Sequence, residues 1–195
     1  MLTALPLLAL VAANVGLSDG ELADALKGEV PAHTEAFVAP GGKSAGRGLG
    51  AVVIDRSVAE VWTTLTRYDD KAEYQPRVKQ VTVLEKLPDR VRARFQIDAS
   101  VTTAIYTAWF TFDVHTHVIH WTLDHSAPDN TIAAADGDYR LFELSPTQTL
   151  VVYRTYVDSG RTVPRSLQEY IARKSIPNLL RAVKKRIESG GTYKK

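Results

Sequence analysis

The chain has 195 residues, 45% of them hydrophobic and 24% charged, which suits one soluble domain able to bury its own core. It has no cysteine, so disulfides, thiol nucleophiles, iron–sulfur clusters and cysteine-ligated zinc are excluded. The net charge of +2 is unevenly spread: from Val163 to Lys195, nine Lys/Arg stand against only Glu169 and Glu188, on an otherwise acidic body.

Residues 2–13 read LTALPLLALVAA. This run is shorter than the roughly 20 residues a membrane span needs, and it fits the apolar stretch of a signal peptide. Val11-Ala12-Ala13 supplies small residues for cleavage, although no Lys or Arg precedes the run. If residues 1–13 are a signal peptide, the protein is expected in the periplasm or outside the cell; otherwise it is cytoplasmic. Residues 14–45 then form an N-terminal extension. Ser18 and Glu21 make a capping box, which predicts a short helix to about Lys27.

Glu35–Ala39 and Ala51–Ile54 read as strands, with the glycine-rich stretch from Pro40 to Gly50 as the turn between them. Ser57 and Glu60 form a second capping box, and Val58, Val61, Trp62 and Leu65 mark a helix face that should end near Tyr68. From Val78 to Asp158 the pattern alternates with period two, the sign of half-buried strands. A turn at Thr102-Thr103 sets Phe95 against Phe110 and Ile97 against Ala108. A turn at Thr116-His117 sets Phe112 against Trp121, Phe110 against Leu123, Asp113 against His120 and Thr111 against Thr122. Both put Tyr106, Phe110, Phe112 and Val114 on the buried face. A turn from Leu144 to Gln148 pairs Tyr139 with Tyr153, Leu141 with Val151 and, outside, Asp138 with Arg154. The side on which Val81 and Val83 lie stays open. A long amphipathic helix follows from Pro164 to Ile187, kinked near Arg173 by Pro177 and ended by Gly190-Gly191. Residues 189–195 form a tail.

The class is therefore α+β: a curved antiparallel sheet of about six to seven strands wrapped around a long C-terminal helix, with one or two short helices after the second strand. Three segments carry a resemblance. AVVIDRSVAEVWTTLTRYDDKAEYQPRVKQVTVLEK, then Gly137-Asp138-Tyr139-Arg140-Leu141, then VPRSLQEYIARKSIPNLLRAVKKRIE together resemble the START-like (SRPBCC, or Bet v 1-like) superfamily. The likeness is strongest to its polyketide cyclase/dehydrase and coenzyme-Q-binding branch. It implies a helix-grip fold over residues 46–188, with an apolar cavity between sheet and helix.

The inner face gathers Phe95, Tyr106, Phe110, Phe112, Trp121, Tyr139 and Tyr153, with small Ala93, Ala99 and Ala108 between them. Aromatic stripes at strand spacing also describe a filled core; the resemblance favours a cavity. With Ile176 and Leu180 from the helix, these seven are the candidate ligand-binding residues, the tyrosines orienting a ligand carbonyl or hydroxyl. His115, His117, His120 and His125 cluster in sequence, but the hairpin turn divides them, so no metal site is expected. Gly42-Lys43-Ser44 lacks the first glycine of a phosphate loop.

The expected function is non-catalytic binding or transport of a hydrophobic small molecule (a lipid, isoprenoid or polyketide) without a cofactor. Two alternatives are a cyclase/aromatase-type enzyme on the same fold and a ribosome- or protein-binding module that uses the basic helix. That helix also suits transient contact with an anionic membrane. DNA is not an expected partner. RNA and the ribosome are disfavoured because the helix shows no stacking aromatics among its basic residues. A monomer is expected.

Overall fold

The computed structural model describes residues 16–38, 44–99, 103–160 and 171–195, so the expected signal peptide lies outside the described residues. Helix α1 (Asp19–Leu26) starts at the expected capping box: Ser18 Oγ accepts from Glu21 N and Glu21 Oε2 accepts from Ser18 N. Two strands follow, β1 (Ala32–Val38) and β2 (Ser44–Ile54). The glycines expected in a turn thus belong largely to β2. The reason is the helix that crosses them: a Cβ at Gly48 or Gly50 would stand 2.5 Å from a methyl of Ile176. Glycine there lets a helix lie against the strand backbone.

Helix α2 (Val58–Leu65) keeps its Ser57–Glu60 capping box but ends three residues short of Tyr68. Its last turn is rich in threonine, and Thr66 Oγ1 bonds back to Trp62 O at 2.8 Å. Such back-bonding competes with helix continuation. A single-turn helix, α3 (Lys71–Tyr74), comes next and stops at Gln75, which Pro76 holds in extended conformation.

Six antiparallel strands then run as β3 (Val78–Leu87), β4 (Arg90–Asp98), β5 (Thr103–Asp113), β6 (Val118–Leu123), β7 (Ala134–Ser145) and β8 (Gln148–Asp158). All eight strands form one antiparallel sheet in the order β1-β2-β8-β7-β6-β5-β4-β3. This is slightly more than the six to seven expected.

The registers are part expected and part corrected. In β7–β8, Tyr139 faces Tyr153, Leu141 faces Val151 and Asp138 faces Arg154, as the hairpin arithmetic requires; the turn is tighter, with Ser145 opposite Gln148 across a bulge. In β4–β5, Phe95 faces Tyr106 and Ile97 faces Ala104, a slip of four residues from expectation. In β5–β6, Phe110 faces Trp121 and Thr111 faces His120, a slip of two. The turn here spans Val114–His117: Asp113 Oδ1 accepts from the backbone N–H of His115 and Thr116, and His117 takes φ +52°. Asp113 is therefore a turn residue, and His120 bonds Asp136 instead, at 3.2 Å. An even slip leaves every side chain on its original face, so the inner face stands. Val114 is the exception; it lies in the turn and is 56% exposed. Val81 and Val83 face Phe95 and Ala93 and so point to the concave side.

The C-terminal helix α4 (Ile176–Glu188) is entered through one π-helical turn, Ile171–Ser175. Pro177 lacks the N–H that an α-turn would use, and the distortion falls where a kink was expected. The expected helix start at Pro164 lies outside the described residues. Gly190 and Gly191 end α4 with positive φ, and Gly191 N donates to Arg186 O at 2.8 Å. Among the described residues no helix is long and apolar enough to cross a membrane.

Two apolar clusters result. On the convex side, α1 covers β2 and β8 through Leu17, Leu22 and Ala25 against Leu49, Ala51, Leu150 and Val152. On the concave side, α2, α3 and α4 close over the sheet. Gly137 shows how tightly that concave face is fitted. A Cβ there would stand 2.3 Å from Trp121 Cζ2 and 2.3 Å from Arg154 O. Gly137→Ala should therefore cost roughly 1–3 kcal/mol in urea denaturation. Gly20→Ala, with only Ser18 Oγ nearby at 4.0 Å, should gain up to about 1 kcal/mol from helix propensity. Equal stabilities for the two variants would contradict the assigned packing.

Candidate functional site

The concave face carries a continuous row of rings across five strands. Phe95 and Tyr106 stack at 5.5 Å with planes 6° apart, and Phe95 meets Phe110 at 5.5 Å. Phe110 meets Trp121 at 6.2 Å; Trp121 meets Tyr139 at 5.6 Å and Tyr153 at 5.5 Å; Tyr139 and Tyr153 lie 4.9 Å apart. Strand alternation puts these positions on one side, and the bare Gly137 between Trp121 and Arg154 lets the indole lie over β7. Phe112 joins through Tyr68 and Trp62. On the opposite side stand Ile176 and Leu180 of α4. All nine residues singled out from the sequence thus share one concave cluster.

Three residues were not singled out. Tyr68 packs against Phe95, Phe110 and Phe112, at 4.5 Å from Phe110. Tyr74 is fully buried, and burial raises the pKa of its phenol. Lys71, between them, is 3% exposed. The spacing Tyr68-x-x-Lys71-x-x-Tyr74 was the available signal, masked by Asp69-Asp70, which reads as a helix break.

The phenols are electrostatically coupled. Burial first, then the other phenols, raises the pKa of Tyr139 and Tyr68 well above the usual value: Tyr153, Tyr74, Tyr68 and Tyr106 act on Tyr139, and Tyr74 and Tyr106 act on Tyr68. Five hydroxyls therefore converge in the interior. All are neutral at physiological pH and able to donate to a carbonyl or hydroxyl. Tyr106 and Tyr153 have a further property. Each keeps accessible surface, yet burial raises its pKa as it does for an enclosed group.

The ionic groups divide into two sets. Arg186 is 4% exposed and binds Asp70 at 2.8 Å, Glu73 at 3.1 Å and Tyr193 O at 2.8 Å, tying α4 to α3. Burial pushes the Asp70 carboxyl up, but Arg186 and Arg67 outweigh it and hold the pKa below the usual range. Lys184 reaches Val53 O at 2.7 Å and Glu188 at 2.6 Å. These two residues, read as part of a basic outer face, are internal fasteners; Arg173, Lys174, Arg181 and Lys185 remain exposed. On the convex face Asp138 pairs with Arg154 at 2.5 Å, as expected. The histidines do not converge: His120 bonds Asp136 and His117 packs on Trp62. Among the described residues no group of three or more metal-ligating side chains comes together. Two open surface clefts, one beside His125 and Tyr156 and one beside Lys27 and Lys184, lie apart from the ring row.

A curved antiparallel sheet gripping a C-terminal helix, with an aromatic interior between them, defines the START-like class. Residues 54–184, more than half the chain, match the family described as polyketide cyclase / dehydrase and lipid transport. The chain belongs to that family. None of the curated proteins matches it significantly in sequence. Solved structures share the fold. The STAR-related lipid transfer protein of Xanthomonas axonopodis is 14% identical with TM-score 0.68, over 81% of this chain and 93% of that one. Human StAR-related lipid transfer protein 5 is 10% identical with TM-score 0.64, over 96% and 97%. The Zhui aromatase/cyclase of Streptomyces sp. R1128 is 19% identical with TM-score 0.61, over 80% and 94%.

Lys71 gives the site a measurable signature. Burial lowers the pKa of its amine to about 7, against an opposing pull from Asp70. Between about pH 7 and the ordinary value of 10.5, the unfolded chain holds a proton that the folded chain has released. Stability should therefore rise with pH across that window, until the raised phenols reverse the trend above about pH 10. Lys71→Met should flatten the rise between pH 6.5 and 9.5 in urea denaturation; an unchanged slope would show that the amine is solvated.

Proposed function

We propose that the protein binds and carries a hydrophobic small molecule that bears a few oxygen functions, in the space between the concave sheet and α4. The observation that carries this reading is the row of rings from Phe95 to Tyr153 on the concave face, with five phenols among them and Ile176 and Leu180 of α4 opposite. Apolar walls supply affinity, and a small number of fixed polar groups supply orientation. The phenols of Tyr106, Tyr139 and Tyr153 fill the orienting role, and Phe95, Phe110, Phe112, Trp121, Ile176 and Leu180 the apolar one. The similar proteins that are named for lipid transfer support the same reading. The exposed Arg173, Lys174, Arg181 and Lys185 offer a basic face that suits an anionic membrane during ligand exchange.

One observation favours a second reading, a cyclase-type activity: the Lys71 amine titrates near neutrality, where a general acid or base is most effective. The two readings differ in whether the bound molecule is recovered unchanged.

Nile red, which fluoresces in apolar surroundings, tests the binding. Saturable uptake at one site per chain is expected, with energy transfer from Trp121 and with competition by long-chain alcohols. Tyr106→Phe combined with Tyr139→Phe should weaken an alcohol by about 0.5–1.5 kcal/mol for each hydroxyl lost and leave a hydrocarbon unaffected. Absence of saturable uptake would overturn the reading.

A further inference from the structure

This inference rests on the reading of the interior as a binding site, and it concerns how a molecule enters. Two elements cover opposite sides of the concave face. Helix α4 sits directly on the β2 backbone, where Gly48 and Gly50 leave room for Ile176. Helix α3 is a single turn that lies against β3, an edge strand of the sheet. On that strand Val81 and Val83 are only partly buried, and Val81 pairs with Phe95, the first ring of the row. Lifting α3 from β3 therefore opens a path from the sheet edge to the ring row.

The α3 segment is weakly held by its own interactions. Lys71 is 3% exposed within it, a costly position for an amine. Asp70 Oδ1 and Arg186 Nε are buried where α3 meets α4 and have no hydrogen-bond partner. The exit from α3 is strained. Val78 N donates to Gln75 O at 3.4 Å and closes a turn with Pro76 and Arg77 at its centre. Arg77 takes φ +66°, a region that favours glycine. A side chain holds such a conformation only where its surroundings enforce it.

The C-terminal tail supplies that enforcement. Gly190 and Gly191 reverse the chain, and Tyr193 is then fixed at both ends: its N–H donates to Ser189 Oγ at 2.9 Å and its carbonyl accepts from Arg186 at 2.8 Å. Lys195 N donates to Glu73 O at 3.0 Å, and Lys194 pairs with Glu73 at 3.3 Å. Lys195 Nζ donates to Gln75 O at 2.9 Å and also to Val78 O, the carbonyls on either side of Pro76 and Arg77. Arg186 holds the start of α3 through Asp70, and the tail holds its exit. The tail's ties are few and polar, so they open at a smaller cost than the apolar seat of α4.

We propose that residues 189–195 are a latch on the interior site: Lys195 holds the 75–78 turn closed, and its release lets the exit of α3 lift from β3 and admits the ligand. The latch sets the rates of entry and departure. It touches none of the candidate ligand-binding residues, so it leaves affinity unchanged.

The test measures stopped-flow uptake and release of Nile red by the full chain, together with hydrogen exchange of its backbone amides. Lys195→Met keeps the aliphatic stem and removes the donors; Lys174→Met, at an exposed lysine on the same helical segment, makes the same change of charge. Lys195→Met should quicken uptake and release alike, by about tenfold or more, the worth of one lost charge-assisted hydrogen bond. The Kd should stay the same. The amides of Glu73 and Gln75 should exchange faster, those of β5 to β8 should not, and Lys174→Met should change nothing. In the unaltered chain the α3 amides should exchange before those of α4, a measurement that needs no variant; the reverse order overturns the proposal. So do unchanged dye rates in Lys195→Met, an equal rise in Lys174→Met, or faster release alone with weaker binding, which is the mark of a merely structural residue. Each of these leaves the binding reading intact. Absence of saturable uptake by the unaltered chain overturns both.

Discussion

The structure depends on where its long helix touches the sheet. Helix α4 lies principally on β2, where Gly48 and Gly50 let Ile176 and Leu180 reach the strand backbone. That contact fixes the helix over one side of a wide, curved sheet. The aromatic row lies on β4 to β8, the other side of the same concave face. A helix seated close at β2 leaves its remaining face opposite rings on strands that bend away. The two sides of the concave cluster follow from this asymmetry: aliphatic from the helix, aromatic from the sheet. A second fastening, Arg186 to Asp70 and Glu73, holds α3 beneath the C-terminal end of the same helix. Tyr68, Lys71 and Tyr74 are thereby carried to the end of the ring row.

The electrostatics of this concave cluster follow from burial. Phenols raised out of their usual range stay neutral and act as hydrogen-bond donors. The Lys71 amine, lowered toward neutrality, is a group whose charge a modest pH change can set. A purely structural interior would have little reason to retain such an amine where the apolar Met would fit without desolvation cost.

Much of this was legible in the sequence, and the exceptions have physical causes. Period-two alternation fixed the inward set from Phe95 to Tyr153, because a strand offers only two faces. It could not fix register: slips of four in β4–β5 and two in β5–β6 preserve every face, and only the turns distinguish them. Asp113 was read as a partner for His120, whereas its short side chain caps the turn that sets the slip. The glycines of β2 were read as a turn because glycine's conformational freedom is its commoner use. Here the absence of a side chain is what matters, and that is a property of the distant α4. Lys71 was overlooked for a similar reason. A lysine beside two aspartates reads as surface, and only the fold shows that Asp70 is taken by Arg186, 116 residues away.

The claim that most needs testing is that the space between the ring row and α4 holds a ligand. Native mass spectrometry of the purified chain, followed by organic extraction of the same sample, addresses it directly. The account predicts a defined adduct, of the size of a lipid or polyketide, that is lost on denaturation and is recovered in the extract. A clean apo mass from a protein that also fails to take up Nile red would contradict it. That result would mean that the aromatic face is a filled core.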